Sequence, residues 1–157
     1  MRQSLLIIFG VFSVFTSCAS CDKNLMPTST SKNNNSEIQS EDSKMNIKIG
    51  NRTFTATLYD NASVAAFKAV LPMTVNMTEL NGNEKYVDLS RSLPTNASNP
   101  GSIQNGDLML YGSSTLVLFY KTFSTSYSYT RLGRIADTAG LVAALGPGNV
   151  TVTYELE

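Results

Sequence analysis

From Met45 onward the chain is built of short runs in which apolar and polar residues alternate, cut at close intervals by turn pairs rich in Gly and Asn. Alternation with period 2 puts one set of side chains on one face of an extended strand, and a tight turn returns the chain antiparallel beside itself. Asn46-Ile47-Lys48-Ile49, the turn pair Gly50-Asn51, and Arg52 to Tyr59 with Phe54, Ala56 and Leu58 on one face predict a hairpin. Met73, Val75 and Met77 alternate again before Asn81-Gly82-Asn83 turns the chain into Tyr86-Val87-Asp88-Leu89. Asn105-Gly106-Asp107 opens Leu108 to Tyr111, and Gly112-Ser113 separates that run from Thr115 to Tyr120. Arg131 to Ile135 and Asn149 to Leu156 follow, the latter with Val150, Val152 and Tyr154 on one face.

Leu116-Val117-Leu118-Phe119 breaks the alternation. Four consecutive apolar residues mark a strand buried on both faces, so this run is expected at the centre of the core. Two segments have helical spacing instead. Ala62 to Leu71, capped by Asp60 or Asn61 and stopped by Pro72, carries Val64, Phe67 and Leu71 on one face, with Lys68 at its rim. Asp137 or Thr138 opens a second short helix that runs through Leu145 and ends at Gly146-Pro147-Gly148. Leu93 to Ile103, with two Pro, two Asn and a Gly, reads as a long surface connection. About seven or eight short strands with two short helices make the chain mainly β, and short antiparallel turns favour a small closed barrel over a sandwich.

The residues before this domain differ in kind. Met1-Arg2, the apolar run Leu5 to Phe15 and the small residues Thr16 and Ser17 form a positive start, an apolar stretch and a small-residue exit, which together read as an export signal over residues 1–17. The run is too short to span a bilayer, which takes roughly 20 apolar residues. Phe15-Thr16-Ser17-Cys18 looks like a lipobox, with Phe where Leu is usual, and Cys21 is the alternative site of lipidation. A redox reading of Cys18-Ala19-Ser20-Cys21 would need a strand before it and a helix opening at it, and a leader and a polar stretch stand there instead. Residues 22–44 hold five Ser, four Asn, two Thr and only Leu25, Met26 and Ile38 as large apolar residues. Such a stretch offers too little apolar surface to offset its ordering entropy, so residues 18–44 are expected to be a tether behind a lipidated cysteine. The folded domain is then 45–157, and the protein is expected in the cell envelope, held to a bacterial membrane by its lipid.

Composition bears on chemistry. The chain has no His, which removes Ser-His-Asp and Cys-His nucleophile pairs and imidazole-ligated metal, and leaves acid-base work to carboxylates, Lys or Tyr. Twelve basic residues balance twelve acidic ones without a basic cluster, so no footprint for nucleic acid is present. Asp60, Asp88, Asp107 and Asp137 each fall at a turn or helix start, where Asp bonds local backbone, and no cofactor or metal is implied.

Leu71-Pro72-Met73, Asn81-Gly82-Asn83-Glu84-Lys85-Tyr86, Gly106-Asp107-Leu108-Met109-Leu110-Tyr111-Gly112 and Phe119-Tyr120-Lys121-Thr122-Phe123 resemble, in order and spacing, the bacterial cyclophilin-like domain family. So do Ser126-Tyr127-Ser128-Tyr129-Thr130 and Arg131-Leu132-Gly133-Arg134-Ile135. The resemblance covers essentially all of 45–157. It implies an antiparallel barrel of cyclophilin type with helices capping its ends, and relatives that occur as lipoproteins and beside flavodoxin-like domains. It does not carry an isomerase with it: cyclophilins that twist the Xaa-Pro bond use an Arg near a Phe-His pair and a further His, and here Arg131 and Arg134 lie on a late strand in a chain without His.

Arg131 and Arg134, three apart on one unbroken strand, would face opposite sides, one toward the barrel mouth. Tyr111, Tyr120, Tyr127 and Tyr129, together with Phe123, can line a ligand groove, because tyrosine offers an apolar body and a polar tip. The expected function is a lipid-anchored, non-catalytic module that binds a peptide or small ligand. The alternatives are a peptidyl-prolyl isomerase working through Arg131 or Arg134, and an accessory domain for a flavodoxin-type redox partner.

Overall fold

Alternating segments of this kind bury their apolar faces only by wrapping around one another, and they do so here in a computed structural model that describes residues 43–157. The leader, Cys18, Cys21 and most of the tether lie outside the described residues. In chain order the strands are β1 (Lys44–Ile49), β2 (Arg52–Leu58), β3 (Met73–Leu80), β4 (Glu84–Asp88), β5 (Ser102–Ile103), β6 (Asp107–Tyr111), β7 (Thr115–Phe119), β8 (Phe123–Ser124), β9 (Thr130–Ile135) and β10 (Val150–Leu156). The helices are α1 (Ala62–Lys68) and α2 (Leu141–Leu145). Eight strands close into a barrel in the order β1-β10-β3-β4-β7-β6-β9-β2, every neighbouring pair antiparallel. Closure leaves none of these strands with an open edge.

Every second residue points inward. Ile47, Phe54, Ala56, Leu108, Leu110, Leu116, Leu118, Val152 and Tyr154 fill the interior, with Val64 and Phe67 of α1 and Leu141 and Leu145 of α2 closing on it. Asn61 rather than Asp60 caps α1, its Oδ1 accepting from the Val64 N–H at 2.9 Å. The helix ends at Lys68, short of the expected Leu71, the residue that Pro72 disfavours in the α region. The Val70 and Leu71 N–H groups bond back to the Phe67 and Lys68 carbonyls in a tightened last turn. Neither Asp137 nor Thr138 caps α2, which begins only at Leu141 behind Gly140 in the left-handed region. Asp137 instead turns the backbone, accepting from the Ala139 N–H.

The Leu93 to Ile103 connection is not simply a surface loop. Leu93 and Ile103 are buried, β5 pairs with β8, and Ser98 bridges Tyr129 through two backbone hydrogen bonds of 3.0 Å. This layer covers the outer face of β6 and β7, where Ile103, Met109, Val117, Phe119 and Tyr129 form a second apolar cluster. The continuous run Leu116–Phe119 is thus apolar for a physical reason: Leu116 and Leu118 face the barrel, while Val117 and Phe119 face the overlying layer.

The two arginines depart from expectation. The register of β6 against β9 runs Leu108 to Gly133 and then Met109 to Arg131, leaving Leu132 as the extra residue of a β-bulge. Leu132 and Ile135, three apart, both enter the core. The same irregularity puts Arg131 opposite Met109 and Arg134 opposite Asp107, so both arginines lie on the outer face and neither looks into the barrel. Gly133 allows the close approach there, since a Cβ would stand 2.7 Å from the Thr57 carbonyl oxygen.

Candidate functional site

On the outer wall of β4, β7 and β6 a groove of about 580 Å³ is bounded on its far side by residues 123–129. Its floor is the outward face of three strands: Glu84, Tyr86 and Asp88 from β4, Thr115 and Val117 from β7, and Tyr111 from β6. Phe123 to Tyr127 and Tyr129 form the opposite bank, and Leu80, Asn81 and Asn83 of the β3–β4 turn close one end. A volume of this size, in which tyrosine and phenylalanine rings alternate with Asn, Ser, Thr and two carboxylates, suits a small ligand.

The rings are held in place by one another. Tyr111 meets Tyr127 edge to face at 6.1 Å and Tyr129 at 5.6 Å. Tyr129 stands edge-on to Phe119 at 5.4 Å, and Phe119 packs on Phe123 at 5.7 Å. Exposure falls along this chain of rings, from 61% at Tyr127 and 46% at Tyr111 to 7% at Tyr129, so the outer rings are presented by a buried root. Such contacts fix the outer tyrosines before any ligand arrives, which lowers the entropy lost on binding.

The polar groups of the groove are acidic or neutral. Burial, and after it the charge of Glu79, raise the Glu84 carboxyl above its ordinary pKa. Burial first and the Glu84 charge second raise the Tyr129 phenol, which places Glu84 within electrostatic reach of the aromatic bank. Asp88 accepts from the Thr115 hydroxyl at 2.6 Å, rather than from its local backbone as its position at a strand end suggested. Asn83 Oδ1 is buried without a hydrogen-bond partner among the described residues.

Of the tyrosines singled out from sequence, Tyr111, Tyr127 and Tyr129 come together and Tyr120 does not. Tyr120 continues the inward parity of Leu116 and Leu118, is buried, and donates from its hydroxyl to Glu79 Oε1 and Oε2 at 2.8 and 2.9 Å. Burial and the neighbouring Glu79 carboxylate push its phenol up to about 12. It belongs to a cluster that sequence reasoning missed. Lys85, with 0% exposure, donates to Glu79 Oε2 and to the carbonyls of Gly146, at 2.9 Å, and Gly148, while its ammonium lies 5.5 Å from the Tyr120 ring centroid. Its three donors are all used. At Glu79, burial works to raise the carboxyl, but hydrogen bonds from Lys85, Tyr120 and the Gly82 N–H, with the Lys85 charge, outweigh it and lower the pKa. The signal was parity: Glu79 follows Met73, Val75 and Met77 on the inward face of β3, and Lys85 stands directly opposite it on β4.

The arginines stand away from the tyrosines. Arg134 Nε donates to Asp107 Oδ1, and that hydrogen bond, ahead of the opposing desolvation, raises the guanidinium pKa. Asp107 Oδ2 accepts from the Gln104 N–H at 2.8 Å, the local backbone role expected of it. Arg131 is exposed, and its carbonyl accepts from the Asn61 side chain near α1. Neither arginine lines the groove.

The protein is thus a closed eight-stranded antiparallel barrel with an aromatic arm over its outer wall. The chain belongs to the cyclophilin-like family, whose model matches residues 47–155. Among solved structures it is similar to a hypothetical protein from Archaeoglobus fulgidus, determined in solution, at 17% identity and a TM-score of 0.47 over 74% of this chain and 95% of that one. No curated protein matches the chain.

Proposed function

We propose that this protein is a lipid-anchored, non-catalytic binding module of the cell envelope, and that the groove beside Tyr111, Tyr127 and Tyr129 receives its peptide or small ligand. One observation carries the reading: about 580 Å³ of preformed groove into which partly exposed tyrosines project from a buried aromatic root. The non-catalytic half is supported by the placement of Arg131 and Arg134 outside that groove in a chain without His. The anchor is supported by the apolar leader and by Phe15-Thr16-Ser17-Cys18.

An NMR titration of the isotope-labelled full chain with an Xaa-Pro tetrapeptide tests the site and the absence of catalysis together. Shifts confined to the groove, lost in Tyr127→Ala and unaccompanied by faster cis/trans exchange, are expected. Faster exchange makes the protein an isomerase, and shifts centred elsewhere remove the groove from the reading. For the anchor, incorporation of radiolabelled palmitate in a bacterial host is expected to vanish in Cys18→Ser and persist in Cys21→Ser. The reverse moves the lipid to Cys21, and no incorporation into the parent chain refutes the anchor.

A further inference from the structure

The groove has a charge pattern as well as a shape. Glu84 and Asp88 are both among its lining residues, and among the described residues no Lys or Arg lines it. Lys85, the immediate neighbour of Glu84, turns to the other face of β4 and spends its charge on Glu79 and two carbonyls inside the barrel. Lys121 stands beside Gly82, about 4.0 Å from where a Cβ would be, and is not part of the lining. The charge acting on Glu84 is that of Glu79, which has the same sign. The rings of Tyr86, Tyr111, Tyr127 and Tyr129 border the same space, and each presents a negative face on which a cation is stabilised.

We propose that the ligand of this groove is a small organic cation bearing a primary ammonium, seated among the tyrosine rings with its N–H groups toward Glu84. The proposal rests on the groove being the ligand site and specifies the chemistry of what enters it. An anion would bring a third negative charge beside Glu84 and Asp88. A neutral apolar molecule would strip water from Glu84 and return nothing for it. An ammonium converts that same desolvation into attraction, brings donors to the Glu84 carboxylate, and meets aromatic rings on whose faces a cation is stabilised.

A matched series with one five-carbon tail and three heads tests this: pentylammonium, 1-pentanol and pentanoate, titrated into the isotope-labelled full chain and followed at the amides of Glu84, Tyr111, Tyr127 and Tyr129. Pentylammonium is expected to saturate those shifts at a concentration about tenfold below that of pentanol, with pentanoate weakest. Glu84→Gln is expected to abolish the tenfold preference and leave pentanol binding unchanged; Asp88→Asn, a second variant at a separate position of the wall, should reduce the preference about threefold. Equal binding of pentanol and pentylammonium overturns the cation and leaves the groove standing as a neutral ligand site. Preference for pentanoate overturns the cation outright. No groove shift with any of the three, in a chain whose spectrum remains folded, removes both the cation and the groove.

Discussion

Glu84 and Lys85 are neighbours on one strand, and the pleat sends them to two regions that treat charge in opposite ways. Inside the barrel, Lys85 finds Glu79 directly across the ladder, two carbonyls of the Gly146-Pro147-Gly148 loop and the Tyr120 ring, and every donor is used. Outside, Glu84 is half-buried in an aromatic groove beside Asp88, without a cation among the described lining residues. A buried ion pair with all its bonds made ties parts together: here it fastens the β3–β4 hairpin to the loop before β10. A carboxylate kept in a partly dry site without a partner lowers stability. Groups with shifted pKa values cluster at functional sites.

The largest effect should come from breaking the inner region. Lys85→Met leaves Glu79 half-wrapped with no counter-charge, and a loss of about 3 kcal/mol in urea unfolding is expected, much of it recovered by adding Glu79→Gln. A neutral outcome for Lys85→Met would erase the distinction between the two regions. Tyr120→Phe removes the hydroxyl proton shared between the two Glu79 oxygens and should cost about 1 kcal/mol while leaving ligand shifts in the groove untouched. If it weakened binding instead, Tyr120 would return to the groove side of the comparison.

Acid should separate the two carboxylates. Glu79 has a folded pKa below its ordinary 4.5, so its contribution is complete above that value and is lost as pH falls through the lowered folded pKa. Glu84 is shifted the other way: its penalty is present above its raised folded pKa and is relieved as pH falls through it. Stability measured against pH should therefore lose its Glu79-dependent fall in acid in Glu79→Gln, whereas Glu84→Gln should raise the melting temperature slightly near neutral pH. The smallest effect is expected from Tyr127→Ala, within about 0.5 kcal/mol in stability, since the ring is the most exposed of the bank. Loss of ligand shifts in that variant would set function and stability apart most cleanly.

Much of the barrel was legible in advance because its determinants are local. Period-2 runs, Gly-Asn turns and the four-residue apolar stretch at Leu116–Phe119 each act over a few residues, and each appears in the structure where expected. The helix ends were less legible. α1 stops at Lys68 instead of Leu71, and Asp137 makes a turn instead of a cap. For the site, three of the four tyrosines converge. Tyr120 was misplaced because a list of aromatics ignores parity: it lies an even number of residues from Leu118 and so points inward with it. The arginines were misplaced because one extra residue at Leu132 resets parity, and no local residue pattern announces a bulge.

The class of fold, the tight turns, the eight barrel strands and the exclusion of histidine chemistry could be read from residue type and near neighbours alone, whereas the short β5–β8 pair could not. The tertiary structure decided which strands became neighbours, and with that everything depending on contacts far apart in the chain. Lys85 meets the carbonyls of Gly146 and Gly148, Tyr111 meets Tyr127 and Tyr129, and the Leu93–Ile103 segment pairs with the aromatic arm through Ser98–Tyr129 and β5–β8. The physical reason is closure: once eight strands form a ring, each residue's face and partner follow from register around the whole barrel, and a single bulge in β9 changes both.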